Sequence, residues 1–175
     1  QPLPSHTGFV CAAEFSPNGN VLACGNRARS ARLWEVGSGK LLGEIVPKLG
    51  PDSYVRLVSW SPDGKVLATC VPHGVHGNTE ARIHLWDARS GSLLRTFKTR
   101  TQPVPALAWF PTGSGLAYGG AKTQLWNSST DKMIREFEPP SNALAWSSKG
   151  EKLAVRRIGG GDVSICAPHS GLVLR

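Results

Sequence analysis

The chain has 175 residues, 40% of them hydrophobic, 18% charged and 7% aromatic, with a formal net charge of +8. That length supports one sizeable core or a piece of a larger domain, and no apolar run approaches the ~20 residues a membrane-spanning helix needs. The N-terminal QPLPSHTG carries neither an initiator Met nor a basic-then-apolar leader, as expected of a processed chain or an excised fragment, and the positive charge suits an acidic partner without naming one.

In chain order, the first feature is an apolar run that ends in the turn FSPNG (15–19), followed by LWEVGSG (33–39). The same pair of phrases returns as WSPDG (60–64) with LWDARSG (85–91) and as WFPTG (109–113) with LWN (125–127). It fades to WSSKG (146–150) with ICA (165–167). The last three of the closing phrases are each 40 residues apart. Two independent markers on one beat of about forty residues predict a repeated structural unit rather than a catalytic site. The second unit divides into four runs, 54–60, 65–71, 82–87 and 92–98, rich in aliphatic, β-branched and aromatic residues and separated by Pro, Gly, Asn, Asp or Ser. In SPDG, Pro sets φ and Gly supplies the positive-φ residue of a turn. No stretch holds a 3.6-residue period, so the expected class is all-β, in four units of four strands at about 5–46, 54–98, 104–138 and 142–175.

The cysteines, Cys11, Cys24, Cys70 and Cys166, include no CxxC pair. Counting outward from the turn at 16–19 sets Cys11 opposite Cys24, where a disulfide would fit. The preferred reading is small buried thiols in a reducing, intracellular, cytoplasmic setting.

The units resemble WD repeats, whose pattern runs from a GH pair through an apolar strand, FSPDG, LASG and a polar turn to LWD. The likeness extends from His6 to the C-terminus, strong in the first two units, moderate in the third and weak in the fourth. It implies a β-propeller of four-stranded blades, in which Trp34, Trp86 and Trp126 pack between blades and Ser-Gly turns to the outer strand. His6, Trp60, Asp87, Trp109 and Trp146 hold further motif positions. The family's buried Asp before the third strand is replaced by Ala28, Glu80, Gly120 and Gly160, and Pro51 stands where the second unit's His belongs. Family propellers close with about seven blades, within a known range of four to eight. Four units therefore imply an incomplete ring, closed by further blades or by a second copy, with a tight four-bladed ring as the alternative.

Catalytic motifs fail on spacing. GSGK (37–40) has Trp34 where a P-loop needs glycine and no Ser or Thr after Lys40. GxSxG, HExxH and GxGxxG do not occur. VPHGVHGNTE (71–80) places His73 and His76 three apart with Glu80 nearby, but a stable metal site needs three or four ligands. The segment is read instead as an inserted, exposed loop available to a partner. The expectation is no catalytic residue, no cofactor and no metal.

On these strand boundaries one rim holds Arg27, Arg29, Lys48, Arg100, Lys122, Arg156 and Arg157 against Asp52, Glu80 and Glu138. The other holds six basic residues against five acidic. The residues assigned to partner contact are Arg27, Arg29, His73, His76, Arg100, Lys122 and Arg157. The loops of the basic rim are read as lacking the aromatics that RNA stacking wants. The leading expectation is a non-enzymatic scaffold for protein partners within a larger protein or complex. The alternatives are a structural component of a ribonucleoprotein or other nucleic-acid assembly that uses the basic rim, and a regulatory propeller appended to an enzyme.

Overall fold

The computed structural model describes residues 8–47, 54–73, 80–99, 103–138, 140–159, 161–168, 170 and 172–174. The chain divides into two compact units, residues 1–100 and 101–175. Among the described residues all regular structure is β, in four antiparallel sheets whose strands pair in chain order. The first unit holds sheet 1, made of β1 (Val10–Phe15), β2 (Val21–Asn26), β3 (Ala31–Glu35) and β4 (Leu41–Ile45). It also holds sheet 2, made of β5 (Leu57–Trp60), β6 (Val66–His73), β7 (Glu80–Asp87) and β8 (Leu93–Lys98). The second unit holds sheet 3, made of β9 (Leu107–Trp109), β10 (Gly115–Tyr118), β11 (Thr123–Asn127) and β12 (Lys132–Phe137). Its sheet 4 comprises β13 (Ser141–Trp146), β14 (Leu153–Arg157), β15 (Val163–Ala167) and β16 (Leu172–Leu174).

The four turns between first and second strands share one construction. The residue before the turn bonds across it (Ser16 N to Val21 O at 2.7 Å, Ser61 N to Val66 O at 2.8 Å, Phe110 N to Gly115 O at 2.8 Å, Ser147 N to Lys152 O at 2.9 Å). Gly19, Gly64, Gly113 and Gly150 take φ of +69° to +75°, a region that costs a glycine nothing. In three of the turns a Ser hydroxyl also accepts the far amide: Ser16 from Val21, Ser61 from Val66 and Ser147 from Lys152. The faded WSSKG thus folds like its stronger relatives, because it keeps the Ser and the Gly and the geometry asks for little else.

This construction corrects the cysteine reading. Closing the hairpin between Ser16 and Val21 pairs Phe15 with Leu22, so Cys24 faces Ala13, and Cys11 falls in a bulge between Val10 and Ala12. All four thiols are free; Cys24, Cys70 and Cys166 are buried, but Cys11 is exposed. Burial pushes the Cys70 thiol up to about 12, which leaves it inert.

The strand boundaries of the second repeat also shift. β5 begins at Leu57, whereas the β6–β7 ladder runs beyond the expected loop boundary to Pro72↔Ala81 and His73↔Glu80. His73 therefore belongs to a strand, and residues 74–79, with His76, lie outside the described residues.

Within each unit the two sheets join in the same way. Val55 N bonds Asn26 O at 3.1 Å in the first unit, and Ser141 N bonds Gly120 O at 2.9 Å in the second. The preceding glycines make this approach possible: a Cβ on Gly25 would lie 2.8 Å from Val55 Cγ1, and one on Gly119 2.6 Å from Ser141 O. The core of the first unit lies between its sheets, with Ala23, Leu33 and Ile45 against Val58, Trp60, Leu67 and Trp86. The core of the second has Ala117, Leu125 and Phe137 against Leu153, Val155 and Cys166.

Candidate functional site

The aromatic residue and the acid of the repeated LW phrase have separate jobs. Trp34, Trp86 and Trp126 are 2%, 5% and 9% exposed. Trp86 Nε1 donates to Thr69 Oγ1 at 3.0 Å, and Trp126 Nε1 to Tyr118 Oη at 3.0 Å. The next residue caps the turn that follows. Asp87 Oδ1 accepts from the amide of Ser90 at 2.7 Å and from its hydroxyl at 2.8 Å, which holds that carboxyl below its usual range. Asn127 Oδ1 accepts from Ser129 N and Thr130 N, while Glu35 takes the Ser38 hydroxyl. These side chains are committed to architecture.

Buried polar groups in the two units differ. In sheet 2, His84 is 4% exposed; its Nδ1 lies 2.8 Å from Thr96 Oγ1, and its Nε2 is buried with no partner among the described residues. Burial, reinforced by the charge of Arg82, lowers its pKa to about 4, so it is a neutral core histidine. Sheet 3 instead links Tyr118 to Gln124, Gln124 Nε2 to Glu136 Oε2 (2.6 Å) and Lys122 Nζ to Glu136 Oε1 (2.8 Å). Where the family expects an Asp before the third strand, sheet 1 has a buried Asn26–Ser30 pair, with Ser30 N donating to Asn26 Oδ1 at 3.2 Å. Among the described residues no group of three or more His, Cys, Asp or Glu is placed to hold a metal.

The residues assigned to partner contact separate by unit. Arg27 and Arg29 lie exposed on the β2–β3 turn, with Arg29 at a φ of 75°. The Arg27 guanidinium stands over the Tyr54 ring, 5.7 Å from its centroid, within cation–π range. Arg27 N also donates to the carbonyl of Phe9, whose side chain is 79% exposed. This corrects the expectation of a rim without aromatics: both rings sit at strand approaches beside the turn, where an inventory of loops alone does not look. Lys122 is exposed but paired with Glu136. Arg157 ends β14 opposite Ser141 rather than occupying a turn, and Arg156 likewise belongs to that strand. His6, Lys48, Asp52, His76 and Arg100 lie outside the described residues, as do the side chains of His73 and Glu80.

Sequence reasoning also missed the seams between paired sheets. In the first unit, Trp60 N donates to Glu14 Oε2 at 3.2 Å and its Nε1 to Glu14 O at 3.1 Å. Burial raises the Glu14 carboxyl, partly offset by the bonds it accepts from Ser59 and Trp60. Beside this seam opens a groove of about 790 Å³, lined by polar turn residues such as Asn18, Asp63 and Ser90 as well as by Leu33 and Trp60. The corresponding groove of the second unit, about 530 Å³, is lined by Phe110, Leu125, Ile134, Trp146 and Pro168, with Lys149 among its polar residues. There the Phe110 ring meets Trp146 edge-on at 4.7 Å, and Ile134 is 51% exposed.

Comparison with known proteins places this geometry. The family model described as "WD domain, G-beta repeat" matches residues 1–35 and 43–87. The WD repeat-containing protein 26 homolog of Arabidopsis thaliana is 29% identical over 68% of this chain and 19% of its own length. Pre-mRNA-processing factor 19 of Oryza sativa subsp. japonica is 25% identical over 93% of this chain and 30% of its own. Pre-mRNA-splicing factor cwf17 of Schizosaccharomyces pombe is 27% identical over 89% and 44%. The chain thus spans less than half the length of these curated relatives. The solved structure of U3-55K superposes with a TM-score of 0.80 at 20% identity, over 98% of this chain and 53% of that one, a likeness of fold.

Proposed function

The chain belongs to the WD-repeat family, and on that premise we propose that it is a non-enzymatic scaffold that holds protein partners inside an intracellular complex. WD-repeat proteins are in general protein-interaction scaffolds, presenting loops and seams on a rigid β framework. The observation that carries the reading here is the groove of the second unit. Phe110, Ile134, Trp146 and Pro168 form an apolar cleft where the first unit has hydrogen-bonded polar turns, and exposed apolar concavities of this kind mark interaction sites. The four free thiols, three of them buried, support the intracellular setting.

The test is a photo-crosslinker placed at Lys149, on the same groove, read in the otherwise unaltered chain and in a chain that also carries Ile134→Asp. The scaffold reading expects crosslinked protein partners at this position and their loss in the variant, at an unchanged unfolding midpoint. Equal capture by both chains would remove the groove from the reading.

A second reading, a structural component of a nucleoprotein assembly, draws on relatives named as a pre-mRNA-processing factor and a pre-mRNA-splicing factor, and on the exposed Arg27–Arg29 turn.

A further inference from the structure

We propose that the corner of the first unit around the β2–β3 turn is a stacking site for single-stranded RNA. The site lies apart from the groove of the scaffold reading, so either can fail while the other stands. Two backbone bonds build it. Phe9 O accepts from Arg27 N at 2.9 Å, and Asn26 O accepts from Val55 N at 3.1 Å, so the approaches to β1 and β5 are fixed on the same turn. Their rings arrive with them. Tyr54 backs the Arg27 guanidinium at 5.7 Å, presenting a planar cation, and Phe9 stands 79% exposed. Arg29 lies exposed on the same short turn, at a left-handed φ of 75° that residues other than glycine adopt only where their surroundings hold them.

Exposed aromatic faces, guanidinium planes and phosphate-pairing charge are what single-stranded recognition combines. An acidic peptide would meet the Arg27 guanidinium but would leave the flat face of Phe9 without a partner. A base meets both demands, because every base has a π-face and carries a phosphate on either side.

The experiment titrates a fluorescein-labelled oligouridine of about ten nucleotides, inside the usual ~4–16-nucleotide range, with the 175-residue chain. Anisotropy is followed from about 50 to 200 mM salt. Saturable binding is expected, with a log–log salt slope of about −0.7 for one phosphate at Arg27. Phe9→Ala should weaken it by about 5- to 150-fold, the range for one lost stacking partner. Phe9→Trp, which keeps a π-face, should retain it. Arg27→Glu with Arg29→Glu should flatten the salt slope.

Three results would each overturn the proposal. One is no binding at about 50 mM salt. Another is Phe9→Ala binding as the parent does, or Phe9→Trp losing as much as Phe9→Ala. The third is displacement of the RNA by polyglutamate of matched charge, which would assign the turn to an acidic protein partner.

Discussion

Trp60 and Trp146 end equivalent strands of two repeats, β5 in one unit and β13 in the other, yet they sit in different surroundings. Trp60 gives both its amide and its indole N–H to Glu14. Trp146 has Ala108 in the corresponding place, and its Nε1 is buried without a partner among the described residues. Two positions later, Ser16 of the first unit becomes Phe110 in the second, and its ring takes the edge of Trp146. Two substitutions thus exchange a groove edged by a hydrogen-bonded polar seam for an apolar one. The repeat decides where the tryptophan stands. Its neighbours decide whether the groove beside it is polar or apolar.

The largest expected effect is in the first unit. Trp86 is 5% exposed, packs into the first unit's core and donates to Thr69. Trp86→Ala should lower stability by about 3–5 kcal/mol, read as a shift of the denaturation midpoint. A shift smaller than that of Glu14→Ala would show that the seam, not the core, holds this pair of sheets.

Acid should separate the units next. A folded-state pKa of His84 near 4, below the usual histidine value of 6.5, means that folding favours the neutral ring. Its contribution is whole above about pH 6.5 and is lost as pH falls towards 4, by roughly 3 kcal/mol at 1.36 kcal/mol per pH unit. Thermal unfolding followed between pH 7 and about 4 should show the first unit losing stability, and His84→Gln should flatten that dependence. An unchanged slope in the variant would place the acid sensitivity elsewhere.

Removing the seam itself is a smaller step. Glu14→Ala deprives Trp60 N of its carboxylate acceptor and should cost about 1–3 kcal/mol. It also gives this seam the Ala that the second unit has, so a neutral outcome would mean that the buried carboxylate contributes little after its desolvation. The smallest effect concerns a turn. Gly39 and Gly91 take φ of +68° after their LW phrases, but the second unit places Asp131 at +56°. Asp131→Gly should be neutral or stabilising by about 0.5 kcal/mol, and a clear loss would show that the Asp side chain supports the turn.

The sheets were legible because their markers are local. A Pro or Ser, then a Gly, then an LW pair five to seven residues before the next strand encode turns that need no distant partner, and even WSSKG retained enough of that code. Register was less legible. The eye counts four residues in SPNG, while the hairpin closes between Ser16 and Val21 and a bulge then displaces Cys11. The length of β6 and β7 was hidden for a related reason, since Pro72 and His73 look like loop residues but pair as strand. Contacts between sheets were not legible. Glu14 with Trp60 spans 46 positions and Arg27 with Tyr54 spans 27, and no local pattern joins either pair.

The order of strands within each sheet bears on how the protein is made. Every ladder joins consecutive strands, so a sheet can pair as soon as its own forty or so residues are out of the ribosome, without waiting for a later partner. Such short-range pairing favours rapid folding, and chains emerging at about 5–20 residues per second leave a few seconds between one sheet and the next. During that interval the side of sheet 1 that carries Leu33 and Ile45 has nothing to cover it until sheet 2 appears. Synthesis order therefore makes the newest sheet, rather than the finished one, the part of the nascent chain most in need of a chaperone.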